Sequence, residues 1–456
     1  MVHLISTDLH LSINTSTDLT FKRIFRFWVP LSATWLMMSA EGPFLSAIIA
    51  RMLNPVFNLA AYGVAFSFAM IIEAPVILLM TASTALVKDL HTFKKLRNFT
   101  YALNTIATGL MLILNIPSIF YFITINLVNL PPEVAKLTHT ALILLIPWPG
   151  AIGYRRFYQG ILIRNNLTKR VAYGTIVRLS CMTLTALLLH FFTNAEGVVV
   201  GGGALAAGVT SEAIASKIMA LGVIKKIRSG EIKSNERGNL TYRGIFKFYY
   251  PLALTSIITL GVQPMVTFFM GQSRMALESL AVLPVITSFV FIFRSIGLSF
   301  QEVGIALMGK NKQGYIPLRN FALMLGLIVI SILGIIAFSP LANVWFHNIS
   351  GLSIKLTDFA KLPLIIMVIM PGLSVLLSFQ TAVLVESHNT KPITFSTITE
   401  FTGILLTMFI AIKYFNTIGV VAATMGFIIG RIGANLYLFP PYFKSLKPKS
   451  AIINQS

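Results

Sequence analysis

The stretch FRFWVPLSAT at 25–34 is written a second time, as FKFYYPLALT at 246–255. Pro30 aligns with Pro251 at an offset of 221, and at the same offset Pro43 aligns with Pro264 and Leu59-Ala60 with Leu280-Ala281. Further along the offset becomes 222, where Pro149-Gly150 matches Pro371-Gly372, Thr168-Lys169 matches Thr390-Lys391 and Gly197-Val198 matches Gly419-Val420. Self-similarity in the same order over most of both halves is the mark of an internal repeat.

Composition says what kind of unit is repeated. Of 456 residues, 55% are hydrophobic and only 11% charged, with a mean hydropathy of +0.79. A soluble domain carries about 25% charged residues. Apolar runs long enough to cross a bilayer recur at 25–50, 59–86, 99–122, 138–162, 171–193, 197–223, 246–271, 280–308, 320–346, 359–385, 393–414 and 418–440. The expectation is an all-α polytopic membrane protein with 12 transmembrane helices in two six-helix lobes. The N-lobe covers 1–224, a polar cytoplasmic linker 225–245, and the C-lobe with a short tail 246–456. The first run lacks a following small-residue cleavage site and reads as a spanning helix, not a removed signal peptide. Six spans per copy is even, so the copies share one orientation, the parallel-repeat layout of secondary transporters.

The net charge of +21 is distributed, not clustered. Of the 36 Lys and Arg residues, 24 fall in loops on one side of the twelve runs and 6 on the other. That asymmetry places both termini in the cytoplasm of a cell-membrane (inner- or plasma-membrane) protein, and it accounts for the charge without nucleic acid. The single cysteine, Cys181, allows no intramolecular disulfide or cysteine metal cluster, and the seven histidines show no ligand spacing. No phosphate-binding loop, Ser-His dyad or paired Asp is present, which argues against ATP-driven transport by this chain alone and against an intramembrane enzyme.

Ionisable residues inside a spanning helix are costly and mark function by default. Glu41, in MMSAEGPF at 37–44, is followed by Gly42 and Pro43, so a bend is expected beside a protonatable carboxyl. Its counterpart in the second copy is Val262, and the counterpart of Pro43 is Pro264, a second candidate hinge. Glu73 is equivalent to Arg294, and Arg178 to Glu400, so each lobe carries one acid and one base with signs exchanged. Two pairings stay open: Glu73–Arg178 and Arg294–Glu400 within lobes, or Glu73–Arg294 as a latch between them. Arg155 and Arg156 read as snorkelling or loop-anchoring groups. Arg431 has no nearby acid in sequence and suits an anionic substrate, and Glu302 either pairs with Arg294 or Glu400 or lines the inner mouth.

The W-x-P-L opening at Trp28–Leu31, mirrored at Tyr249–Leu252, and the segment RRFYQGILIRNNLTK at 155–169 resemble the multidrug/oligosaccharidyl-lipid/polysaccharide (MOP) exporter superfamily, which includes the MATE multidrug exporters. Within it, AAYGVAFSF at 60–68 and FYYPLAL at 248–254 look most like the progressive ankylosis protein branch, implicated in export of small organic anions and pyrophosphate-linked metabolites. The resemblance implies two lobes alternating around a central cleft and a cation-coupling acid in the first helix, where Glu41 lies. The function expected is secondary active export of an organic anion or drug-like compound, coupled to H+ or Na+ without a cofactor. Ion coupling falls to Glu41 and Glu73, and substrate binding to Arg294, Arg431 and Glu302. The expected partners are a small-molecule substrate and the lipid bilayer, with the chain as a monomer. A lipid-linked sugar flippase and a non-transporting receptor or scaffold on the same fold are the alternatives.

Overall fold

The computed structural model describes residues 19–165, 167–231, 240–309, 312–387 and 389–446. Residues 232–239 of the expected linker and the terminal segments 1–18 and 447–456 lie outside the described residues. In chain order the helices are α1 (Phe21–Ser39), α2 (Glu41–Ile49), α3 (Pro55–Glu73), α4 (Leu79–Leu86), α5 (Leu90–Leu114), α6 (Pro117–Tyr121), α7 (Pro132–Leu144), α8 (Trp148–Arg164) and α9 (Thr168–Phe192). They continue as α10 (Gly197–Ser229), α11 (Tyr242–Gly271), α12 (Ala276–Leu307), α13 (Tyr315–Phe338), α14 (Leu341–Asn343), α15 (Ile354–Ile366), α16 (Met370–Glu386), α17 (Lys391–Lys413) and α18 (Gly419–Leu446).

Each of the twelve apolar runs falls on one of these helices or on a helix pair. Nine stretches among the described residues are long and apolar enough to cross a membrane, and α5 with the segment Pro117–Leu127, bent by 72°, is a tenth if counted as one span. The runs that fall short are α1–α2 and α7–α8. Helix α8 carries Arg155, Arg156, Gln159 and Arg164, and most of its residues are buried among other helices, so it does not need an apolar surface against lipid.

The repeat is visible in the irregularities as well as in the helices. A six-residue π-helical turn at Phe122–Leu127 recurs at Val344–Ile349, at the offset of 222. The first two runs of each copy differ: α3 stops before Pro75, which stands opposite Ile296, whereas Pro43 and its counterpart Pro264 do not by themselves separate the broken helix from the continuous one. Pro43 cannot donate to the Ser39 carbonyl, and the chain leaves the helix at Ala40, whose N–H turns back to Leu36 and Met37 (3.2 and 3.3 Å). Pro75 likewise cannot donate to Ile71. The Ala74 N–H takes that carbonyl at 3.3 Å, closing α3 at Glu73. Their counterparts α11 and α12 are continuous, and α11 runs through Pro264 without interruption.

The chain divides into two compact units, and the division departs from the halves of the sequence. Unit 1 comprises Ile48–Gln272 and Ala276–Ala281; unit 2 comprises the described residues of 2–47, 273–275 and 282–456. Thus α1 and most of α2 pack with the C-terminal half, and α11 with the N-terminal half. Side-chain burial decides this. In unit 2, Ile24 is fully buried beside Phe300, Val303 and Phe321, and the Trp28 indole N–H donates to Ser299 Oγ at 2.9 Å. In unit 1, the Tyr249 hydroxyl donates to the Pro75 carbonyl at 2.5 Å, and its ring stands edge-on to Phe99 with centroids 5.5 Å apart.

Candidate functional site

Glycine lets the helices of unit 1 come close enough to bury polar groups. A Cβ on Gly160 would lie 1.8 Å from Ser83 Oγ and 2.4 Å from the Met80 carbonyl oxygen, so α4 and α8 touch backbone to backbone there. Ser83 Oγ donates to the Phe157 carbonyl at 2.8 Å and Thr84 Oγ1 to the Gly160 carbonyl at 3.1 Å. The glycine run on α10 does the same work: a Cβ on Gly201 would meet Ile49 and Tyr62 within 3 Å.

This close packing surrounds buried charges. Glu73 ends α3, is 3% exposed, and accepts a 2.5 Å hydrogen bond from the Trp148 indole at the start of α8. In the same unit, Glu212 on α10 is ion-paired with Arg155 of α8. It also accepts from Gln159 Nε2 at 2.9 Å and lies 4.0 Å from Arg178 of α9. Arg155 and Gln159 are four residues apart and so share one face of α8. The Arg155 guanidinium is buried and paired rather than snorkelling, because α10 supplies a carboxylate that the loop side does not.

In unit 2 the corresponding helix pair is also joined by an ion pair. Arg431 on α18 donates to Glu400 on α17, at 2.7 Å from Nη2 and 3.0 Å from Nε. Its Nη1 reaches Ser374 Oγ of α16 at 3.5 Å. Where the sequence suggests Glu73–Arg178 and Arg294–Glu400, the ion pairs seen among these residues are Arg155–Glu212, Arg178–Glu212 and Glu400–Arg431. The sign exchange between Arg178 and Glu400 is satisfied by a base or acid on the neighbouring helix, which sequence equivalence alone does not pair. Glu73 and Arg294 belong to different units, each with its own neighbours.

Arg294 of α12 keeps no such partner. Its Nε is buried and makes no hydrogen bond, and no carboxylate lies within salt-bridge range among the described residues. Arg431 and Glu400 are the charged groups that act on it electrostatically, two guanidiniums sharing one carboxylate. Glu302, two turns along α12, has the Trp35 side chain as a hydrogen-bond partner instead of Arg294 or Glu400. Glu41 is buried at the first residue of α2. The next residue, Gly42, packs so tightly on α12 that a Cβ would lie 2.7 Å from Ser288 Cβ. In unit 2 the α1–α2 break and Glu41 are thus held directly against the helix that carries Arg294 and Glu302.

Sequence reasoning missed Glu212 as the hub of the unit 1 cluster, and Trp148 as the partner of Glu73. The i, i+4 spacing of Arg155 and Gln159 was the available signal. Trp148 carried none.

The arrangement can be compared with solved structures. An inward-facing multidrug resistance MATE family transporter of the MOP superfamily matches with a TM-score of 0.67 at 14% identity, covering 93% of this chain and 96% of that one. The lipid II flippase MurJ in an inward closed conformation matches with a TM-score of 0.68 at 15% identity, covering 92% and 90%. The chain has a MATE-like fold. A MOP superfamily transporter from Pyrococcus furiosus, described as having a binding pocket of reversed polarity, matches this MATE-like chain with a TM-score of 0.60 at 16% identity, covering 94% and 96%. No family model matches the sequence, and no curated protein does. The likeness reaches the fold of the superfamily; the progressive ankylosis branch rests on the sequence resemblance.

Proposed function

We propose that this protein is a secondary active transporter that exports a small organic anion by alternating access, driven by H+ or Na+. The observation that carries the reading is Arg294, a guanidinium in a membrane helix with a buried Nε and no ion pair among the described residues. A half-buried cation in a membrane helix without an ionic partner is costly, and an anionic substrate would supply the missing charge. Two of the intramembrane acids are neutralised within the protein, Glu212 by Arg155 and Glu400 by Arg431. In this reading Arg294 contacts the anion, Arg431 adds to the field while held by Glu400, and Glu302 borders the same helix. Glu41, beside the α1–α2 break, and Glu73, at the end of α3, are the coupling carboxylates. The MATE-like fold supports transport as the general activity.

The test is to profile the medium of cells expressing wild type, Arg294→Gln, Glu41→Gln or empty vector at matched membrane levels. Export of an organic anion by wild type, and its loss in Arg294→Gln with the protein still folded, is the expected result. Export unchanged in Arg294→Gln overturns the anion reading, and export unchanged in Glu41→Gln removes Glu41 from coupling. A second reading, a flippase for a lipid-linked sugar, is favoured by the TM-score of 0.68 to MurJ; it predicts accumulation of a lipid-linked precursor in a deletion strain and no new anion in the medium.

A further inference from the structure

Unit 1 contains a cavity of about 380 Å³ away from the Glu212 cluster, between the ends of α5, α8 and α10. Phe93, Tyr101 and Tyr158 form an aromatic wall, and Arg97, Lys217, Lys225 and Arg228 ring it. Among the described residues no carboxylate lines it. Its cations rest on aromatic rings instead: Arg97 lies 6.0 Å from the Tyr101 centroid and Lys217 lies 5.7 Å from that of Tyr154. The Tyr101 and Tyr158 hydroxyls are 3.3 Å apart, so two phenolic groups face the same space.

The surface leading to the cavity is ordered like an amphiphile. Ile214, Ile218 and Leu221 of α10 are exposed (56, 60 and 51%), and their spacing of four and three puts them on one face of the helix. Lys225 and Arg228 continue that face, four and seven residues beyond Leu221. An apolar strip about 10 Å long therefore ends in a cationic, tyrosine-walled recess. The positive-inside count assigns this end of the helices to the cytoplasmic leaflet.

The repeat supplies a control. Leu96-Arg97-Asn98-Phe99 recurs as Leu318-Arg319-Asn320-Phe321, and both arginines bind the following asparagine, Arg97 Nη2 at 3.0 Å and Arg319 Nη2 at 3.2 Å. Of the other members, Lys225 recurs as Lys447 and Phe93 is matched by Tyr315, but the rest of the set is not repeated. Tyr101, Tyr154, Tyr158 and Lys217 stand opposite Leu323, Leu376, Gln380 and Phe439 at the same offset. In unit 2 the corresponding place is closed by packed rings, with Tyr315, Phe379 and Tyr442 in mutual contact. The architecture of the fold does not require the cationic recess, so unit 1 carries it for a purpose of its own.

We propose that this recess binds the headgroup of an anionic phospholipid, with phosphate held by Lys217, Lys225, Arg228 and Arg97 and an acyl chain lying along Ile214, Ile218 and Leu221. Basic pockets between membrane helices at the cytoplasmic surface favour anionic headgroups. A free phosphate satisfies the cations and leaves the apolar strip unused. Occupancy ties α5 to α8 and α10, the helices that carry Arg155 and Glu212. This site is independent of the transport substrate.

The test uses delipidated full-length protein in detergent, titrated with dioctanoyl phosphatidylglycerol, dioctanoyl phosphatidylcholine or inorganic phosphate and read by native mass spectrometry. Each cation near an anionic surface is worth about fivefold in affinity. Wild type is expected to bind phosphatidylglycerol saturably and in preference to phosphatidylcholine. Lys217→Gln alone weakens this about fivefold, and the triple variant Lys217→Gln/Lys225→Gln/Arg228→Gln roughly 100-fold. Lys217→Arg/Lys225→Arg retains binding, and Arg319→Gln in unit 2 leaves it unchanged. Lys217, Lys225 and Arg228 are exposed, so their neutralisation does not disturb the core. Equal binding of the two lipids to wild type, or full binding by the triple variant, overturns the proposal. Inorganic phosphate binding as tightly as phosphatidylglycerol overturns the lipid as the ligand.

Discussion

Replacing Glu212 by glutamine is the sharpest probe of the unit 1 core. The substitution keeps the shape of the side chain, and the amide oxygen it introduces would still accept from Gln159. What disappears is the negative charge facing Arg155, which is 5% exposed, and Arg178 at 4.0 Å. Breaking a buried pair by removing one partner costs about 3–5 kcal/mol, because the remaining charge is left without compensation. Glu212→Gln is expected in that range. Arg178→Gln costs less, since Glu212 keeps Arg155 and Gln159. Removing both charges, as Arg155→Gln/Glu212→Gln, leaves no isolated charge from the pair and costs less than the two single changes together, by about 2 kcal/mol or more. The assay is unfolding in dodecylmaltoside micelles titrated with SDS, followed by far-UV circular dichroism. Single variants each within about 1 kcal/mol of wild type, and additive in the double, would refute the reading of this pair as a buried, mutually dependent unit.

Exchanging the unit 2 pair as Glu400→Arg/Arg431→Glu should recover part of the stability lost in either single variant, read as the melting temperature of purified protein; no recovery would show that Ser374 and the helix packing fix the polarity. Gly160→Ala forces a methyl group onto the Met80 carbonyl, and overpacking of this kind costs about 1–3 kcal/mol. Because that contact is backbone, adding Ser83→Ala should not rescue it in the SDS titration. At Asp89, the N-cap of α5, partial burial works to raise the pKa, but hydrogen bonds from the Thr92 backbone and side chain outweigh it and hold the carboxyl below the usual Asp range. A depressed folded-state pKa gives stability that is present above the unfolded value, near pH 4, and is lost as pH falls through the folded one. Asp89→Ala should cost about 1 kcal/mol at neutral pH and flatten that part of the acid-unfolding profile.

Much of the candidate site was legible in the sequence as a set of residues and little of it as a set of partners. The intramembrane charges Glu41, Glu73, Arg178, Arg294, Glu400 and Arg431 stand out because each interrupts an apolar run. Nothing in the runs says that Glu73 meets an indole, that Arg431 is held by Glu400, or that Arg294 is the guanidinium left over. Those outcomes depend on which helix faces which, to within a few ångströms. A shift of a single turn separates Arg431 from the position equivalent to Glu212, and it changes the partners in each unit.

Read along the chain alone, the residues specify the all-helical membrane class, the repeat, and the bend beside Glu41. These follow from local causes: hydropathy is a sum along the chain, and a proline without an N–H breaks the same hydrogen bond wherever it sits. Packing in three dimensions is what assigns α1 to unit 2 and α11 to unit 1, and what matches each carboxylate to its guanidinium. Burial and ion pairing are long-range and competitive, so neighbours in sequence do not fix them. Trp28 goes to Ser299 and Tyr249 to Pro75, each a partner in the other half of the sequence.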